Sequence, residues 1–202
     1  MTPPLVAGGP RRRCRPRRVR IGATAHDGRI YVAGGFDKAG NVIGDLQIYN
    51  PQTNHWRRAA PMPTPRAFVR LTWSGGRLYA IAGVGNHNEN RLGTVEAYKP
   101  ATNSWTERAS IPIPRAAPAL GTLADGQIVA AGGGTQTHSP LPDVELYTPS
   151  ANRWRRLTPL LQPSSGGPTG VVVDGDVFYV IGGFTNGMKL TASRFVESAV
   201  VN

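Results

Sequence analysis

The sequence predicts an all-β repeat protein built from short antiparallel strands, and three observations predict it. The first is composition. The 202 residues include 25 glycines and 18 prolines, too many breakers for long helices and well suited to short strands joined by turns. The second is a period: Tyr49, Tyr98 and Tyr147 stand 49 residues apart, and Trp56, Trp105 and Trp154 each follow their tyrosine by seven. The third is a set of apolar runs that close in small residues: Ile30 to Gly35, Leu78 to Gly83, Ile128 to Gly133 and Phe178 to Gly183. Independent markers held in phase are the signature of a repeat architecture.

Each element of the repeat has a physical reason. A run such as Phe178 to Ile181 is apolar on both faces, as a strand packed on both sides must be. The glycines that close it allow positive φ or a close backbone approach. Val95-Glu96-Ala97-Tyr98 and Val144-Glu145-Leu146-Tyr147 alternate as half-buried strands do. Next comes Pro-x-x-Asn, at Pro51 to Asn54, Pro100 to Asn103 and Pro149 to Asn152. It predicts a tight turn, because proline presets φ and asparagine tolerates the left-handed region. Each tryptophan then opens a further short strand and is expected to bury a large area between units. A fourth strand, introduced by Pro65-Arg66 and Pro114-Arg115, precedes the glycine-ended one. Four short antiparallel strands per unit make a β-propeller blade.

The order Pro-Arg, apolar strand, Gly-Gly, variable loop, Val-Glu-x-Tyr, Pro-x-x-Asn-x-Trp resembles the kelch repeat. The resemblance runs from residue 18 to 202, as blades at 18–64, 65–113, 114–162 and 163–202. It departs from the pattern at Ala82-Gly83, at Pro163-Ser164, and at Val196 to Ala199, where no tyrosine or tryptophan strand follows. The fourth blade is therefore expected to lack its outer strand. Kelch propellers form rings of six or seven blades, about 300 residues at this period. Three explanations account for the shorter count. The chain is a fragment of a longer propeller, or it self-associates so that a second chain closes the ring, or it closes as a tight four-bladed ring. The fragment, an incomplete or open propeller, is the expectation. Val6-Ala7-Gly8-Gly9, an echo of Val32-Ala33-Gly34-Gly35, points the same way.

The formal net charge is +11, yet it is unevenly placed. Residues 1–20 hold seven arginines and no acid, leaving 16 basic and 12 acidic residues in the remainder. Residues 1–17 read as an arginine-rich, disordered tail. Such a tail contacts nucleic acid through counterion release. No aromatic platform or recognition helix accompanies it, so specific nucleic-acid binding is not expected. No apolar run of about 20 residues offers a membrane span. No apolar stretch follows the arginines as in a secretory leader, and a cytoplasmic setting is the expectation. The single Cys14 cannot form an internal disulfide or a multi-cysteine metal site. Gly-x-Ser-x-Gly and phosphate-loop motifs are absent. No catalytic residue, metal or cofactor is expected.

Two function classes follow. The first is a binding scaffold that presents propeller loops and a central cavity to a protein or peptide partner. The second, implied by resemblance to sialic-acid mutarotases, is a carbohydrate-active enzyme using Arg66, Arg115 and Glu89 in the central pocket. The kelch resemblance also implies that Arg18, Arg66 and Arg115 face the cavity and take an acidic ligand. The competing reading is that each satisfies carbonyls at a strand start. Among the loops 36–44, 84–93, 134–142 and 184–193, the candidate contacts are Asn86, His87, Asn88, His138 and Asn186. The amide-rich loop 84–93 suits a peptide or a sugar.

Overall fold

The computed structural model describes residues 14, 18–86, 90–165, 170–186, 191–192 and 196–200. Short strands joined by tight turns carry the whole of this length, and no described helix is long and apolar enough to cross a membrane. Blade 1 is one antiparallel sheet of β1 (Gly22–His26), β2 (Arg29–Ala33), β3 (Leu46–Asn50) and β4 (His55–Ala59), in chain order. Blade 2 repeats it with β5 (Arg70–Ser74), β6 (Arg77–Val84), β7 (Arg91–Lys99) and β8 (Ser104–Arg108). Blade 3 does so with β9 (Ala119–Thr122), β10 (Ile128–Ala131), β11 (Val144–Thr148) and β12 (Arg153–Arg156). Blade 4 pairs β13 (Gly170–Asp174), β14 (Val177–Ile181) and β17 (Val196–Val200), with β15 (Phe184–Asn186) and β16 (Thr191–Ala192) as a separate two-stranded ribbon. The fold is a four-bladed β-propeller, and Tyr49, Tyr98 and Tyr147 lie on the third strands as the sequence predicts.

The turn chemistry follows the sequence pattern. Asn54, Asn103 and Asn152 adopt φ of 54°, 48° and 49°, the left-handed conformation that asparagine tolerates. Gly34 has φ +68°, and a Cβ there would collide with the Arg66 carbonyl oxygen of the next blade. That close approach is one physical reason for the glycine pair.

Three apolar clusters occupy the three junctions between successive blades. Tyr31, Ala33, Leu46 and Ile48 of blade 1 meet Val69, Leu71, Leu78 and Ala80 of blade 2. Tyr79, Ile81, Val95 and Ala97 of blade 2 meet Ile128 and Ala130 of blade 3. Val129, Ala131, Val144 and Leu146 of blade 3 meet Phe178 and Val180 of blade 4. Alternate residues of β6 thus face opposite neighbours, as a strand's period of two dictates.

The tryptophans are half-buried rather than enclosed, and they act with the turn asparagines as a clamp. Trp105 Nε1–H donates to the Ala60 carbonyl at 2.7 Å, while Asn103 Oδ1 accepts the Ala60 N–H at 2.9 Å. Trp154 and Asn152 hold Ala109 in the same way, at 2.8 and 2.9 Å. The Tyr98 and Tyr147 hydroxyls donate to those asparagine oxygens at 2.9 and 2.6 Å. Burial, with Tyr79 nearby, pushes the Tyr147 phenol up to about 12, so it stays a donor at neutral pH. The Pro-x-x-Asn-x-Trp motif therefore fastens blades 2 and 3 to both backbone groups of one residue in the blade before each.

Candidate binding face

One end of the propeller gathers the segments that lead into each blade and the loops between second and third strands. The bridges Val19–Phe36, Ala67–Val84, Ala116–Gly134 and Ser165–Phe184 place the two kinds of segment side by side in every blade. Backbone bonds then link lead-in segments across blades: Phe68 N–H to Arg20 O at 2.8 Å and Ala117 N–H to Phe68 O at 3.1 Å. Arg20, Phe68 and Ala117 all have positive φ, of 58°, 53° and 47°. Their backbones are equivalent while their side chains differ. The Arg20 guanidinium stands 5.0 Å over the Phe68 ring, and Phe36 meets the same ring edge-on.

The loops at this end are joined to one another. Arg91 Nε–H donates to the Thr135 carbonyl at 3.0 Å, and the Arg91 N–H to Gln136 Oε1 at 3.1 Å. Loop 84–93 of blade 2 is thereby held against loop 134–142 of blade 3. In blade 1, Asp37 Oδ1 accepts the N–H groups of Ala39 and Asn41, both at 2.9 Å, and this folds loop 36–44 on itself. Among the sequence candidates, Asn86 and His138 are exposed on these loops. Asn186 ends β15, and His87, Asn88 and Glu89 lie outside the described residues. No group of three or more His, Cys, Asp or Glu among the described residues could hold a metal ion.

The arginines that open the blades lie elsewhere. Arg66 and Arg115 are completely buried within their own sheets. Arg66 Nη1 pairs with Glu96 Oε2 at 3.1 Å and its Nη2–H donates to the Ala80 carbonyl at 3.0 Å. Arg115 Nη2 pairs with Glu145 Oε1 at 2.6 Å, and its Nη1–H donates to the Gly132 carbonyl at 3.0 Å. Burial pulls both guanidinium pKa values down, and the paired glutamates oppose it. Burial likewise pushes the Glu145 carboxyl up, against the pull of Arg115. The acid lies on the third strand, at 96 and 145, where blade 1 has Gln47. Arg18 there is partly exposed and donates to the Gly34 and Asp45 carbonyls at 3.3 and 3.2 Å. In blade 4, Ser164 replaces the arginine and its hydroxyl donates to the Gly182 carbonyl at 3.0 Å.

For Arg66 and Arg115 the geometry favours the reading in which each satisfies carbonyls at a strand start. Arg66 and Arg115 satisfy carbonyls and carboxylates inside the sheets, so neither offers a free fork to an acidic ligand or a sugar. The axial channel, a cavity of about 170 Å³, is lined instead by the innermost strands. Its walls include Ala23 of β1, Arg70 and Leu71 of β5, Ala119 and Leu120 of β9, and Val171 of β13. Arg70 was not among the candidates that the sequence offered, which were recurring arginines and polar loop residues.

Blade count, strand order and the Pro-x-x-Asn-x-Trp clamps define a kelch-type β-propeller with variable loops at one end. Residues 10–183 match the family model described as the KLHDC2/KLHL20/DRC7 Kelch-repeats domain, and the chain belongs to that family. It is 33% identical over 70 residues to the influenza virus NS1A-binding protein of Homo sapiens, covering 35% of this chain and 11% of that protein. It is 33% identical over 72 residues to beta-scruin of Limulus polyphemus, covering 36% and 8%. It is also 36% identical over 66 residues to Kelch-like ECH-associated protein 1A of Danio rerio, covering 31% and 11%. These matches span about a tenth of the length of the curated relatives.

Proposed function

We propose that this chain is a protein- or peptide-binding module, with its partner held on the end that carries the lead-in segments and the loops 36–44, 84–93, 134–142 and 184–193. The observation that carries the reading is a contrast between constant and variable positions. Backbone bridges at this end recur in all four blades, while the side chains they present, such as Arg20, Phe68 and Ala117, do not. Packing constrains the frame, and recognition is left to what varies. The name of the human relative records that it binds a viral protein, which agrees with a scaffold role. Arg18, Arg20, Lys38 and Arg91 give this end a cationic bias that favours an acidic partner.

The test is selection of peptides from a random library on the 202-residue protein, followed by affinity measurement against variants. Replacing Arg20 and Arg91 together by Ala should weaken the selected peptides about tenfold or more, and added salt should weaken them further. Peptides that bind equally to this variant, and to one whose loop 134–142 is replaced by Gly-Ser, would overturn the assignment.

A further inference from the structure

The face of blade 1 that meets blade 2 carries a basic pocket at the end of the sheet away from the loops. Directly paired residues of antiparallel strands point to one face. Asn50 pairs with His55 and Ile48 with Arg57. Arg29 precedes Ile30, the partner of Tyr49, which sets it beside Asn50. These five side chains therefore share the face on which Ile48 joins the inter-blade cluster. Beyond that cluster, Arg29, Asn50, Thr53, His55 and Arg57 surround a pocket of about 200 Å³ that is backed by Ile48. The positions of Arg29, His55 and Arg57 correspond to Arg77, Ser104 and Thr106 in blade 2, and to Gln127, Arg153 and Arg155 in blade 3. Of these three blades, only blade 1 sets a basic side chain at all three positions. Packing does not require the set, since blades 2 and 3 fold without it.

We propose that this pocket binds a phosphate monoester, the group carried by a phosphorylated side chain or by a small phosphate ester. The site lies at the end opposite the loops, so it does not depend on binding at the loop face. Arg29, His55 and Arg57 are exposed, and among the described residues none of them forms an ion pair. Asp27, the acid nearest in sequence, lies 3.4 Å from the His26 ring instead. His55 Nδ1–H donates to the Thr53 carbonyl at 2.6 Å, which leaves Nε2 for a ligand. Asn50 Oδ1 accepts the Gln52 and Thr53 N–H groups at 2.9 and 3.4 Å, so the group it can offer is its amide NH₂. Arg57 also hydrogen-bonds the Tyr98 hydroxyl of blade 2, which steadies its guanidinium at the blade junction. Among the described residues no carboxylate lines the pocket, so it repels cations and attracts anions. A phosphoryl group brings a double charge and three acceptor oxygens, which two guanidinium forks and an imidazole satisfy better than they do a carboxylate. The volume of about 200 Å³ equals roughly seven water volumes. That admits a phosphoryl group and the atoms next to it.

Inorganic phosphate is the first probe, titrated into the whole protein at fixed ionic strength and followed by amide NMR shifts. Saturable shifts should cluster at Arg29, Asn50, His55 and Arg57, and acetate should bind there at least about tenfold more weakly. Arg29→Gln and Arg57→Thr place in blade 1 the residues that blades 3 and 2 already use, so the fold is kept. Together they should weaken phosphate at least about tenfold, with amide shifts remote from the pocket unchanged. An end-blocked peptide with one phosphoserine that binds this pocket more tightly than inorganic phosphate, and only when phosphorylated, would support the proposal and identify a phosphorylated partner. Equal affinity for the two would support it and identify a small phosphate ester. A single-stranded oligonucleotide that displaces phosphate at equal phosphate concentration would mark a general polyanion surface and overturn the proposal. Unchanged phosphate binding in the double variant, or no saturable shifts at these four residues, would overturn it as well. The Arg20 and Arg91 double variant separates the two sites, because it removes the contact at the loop end and leaves phosphate binding intact.

Discussion

Blade 2 and the two end blades use the same repeat positions with different results. On β6, Leu78 and Ile81 are 0% exposed, because blade 1 covers one face and blade 3 the other. The equivalent of Leu78 in blade 1 is Ile30, at 38%, and the equivalent of Ile81 in blade 4 is Ile181, at 40%. Val95 and Val144 are buried while their blade 4 counterpart, Val196, is exposed. The residue types barely differ, so burial here is a property of having a neighbour. A strand written as apolar on both faces encodes a stack of blades, and its stability is a sum of nearest-neighbour contacts.

The comparison can be broken by truncating equivalent positions. Leu78→Ala should cost about 2–5 kcal/mol in denaturant unfolding, since it opens a cavity between two blades. Ile30→Ala should cost about 1 kcal/mol or less, because water already reaches it. Equal losses would show that interior and end faces are not distinguished in solution. A smaller effect sharpens the role of the clamp. Asn152→Gly keeps the left-handed turn but removes the acceptor shared by the Ala109 N–H and the Tyr147 hydroxyl. It should cost about 1–3 kcal/mol. A loss below about 0.5 kcal/mol would mean that the clamp does not join blades 2 and 3.

Much of this was legible in the sequence, and for one reason. Tyrosines, tryptophans, Pro-x-x-Asn turns and glycine-ended runs recur, and recurrence reports packing. That same logic found Arg66 and Arg115 but could not decide what they do. Their partners, Glu96 and Glu145, sit 30 residues away in sequence on the third strand, and only the register brings them together. Arg70 shows the opposite limit. It lacks a repeat partner, so a search for recurring markers passes over it. A column of Gly22, Arg70, Ala119 and Gly170 would have exposed it as the odd residue. The tryptophans were expected to bury a large area between units, and Trp105 and Trp154 do pack against the inter-blade clusters, half-buried, with each indole N–H reaching a backbone carbonyl.

The central claim is a contrast among arginines: Arg66 and Arg115, which recur, hold their blades through buried glutamates, whereas Arg70, which has no counterpart in the other blades, has no such role. The most direct measurement is the unfolding free energy of Arg115→Met beside that of Arg70→Ala, under one set of conditions. Arg115→Met leaves Glu145 buried without its cation and should lose about 3–5 kcal/mol. Arg70→Ala should stay within about 1 kcal/mol of the parent. An Arg115→Met protein as stable as the parent, or an Arg70→Ala protein that loses as much as Arg115→Met, would contradict the account.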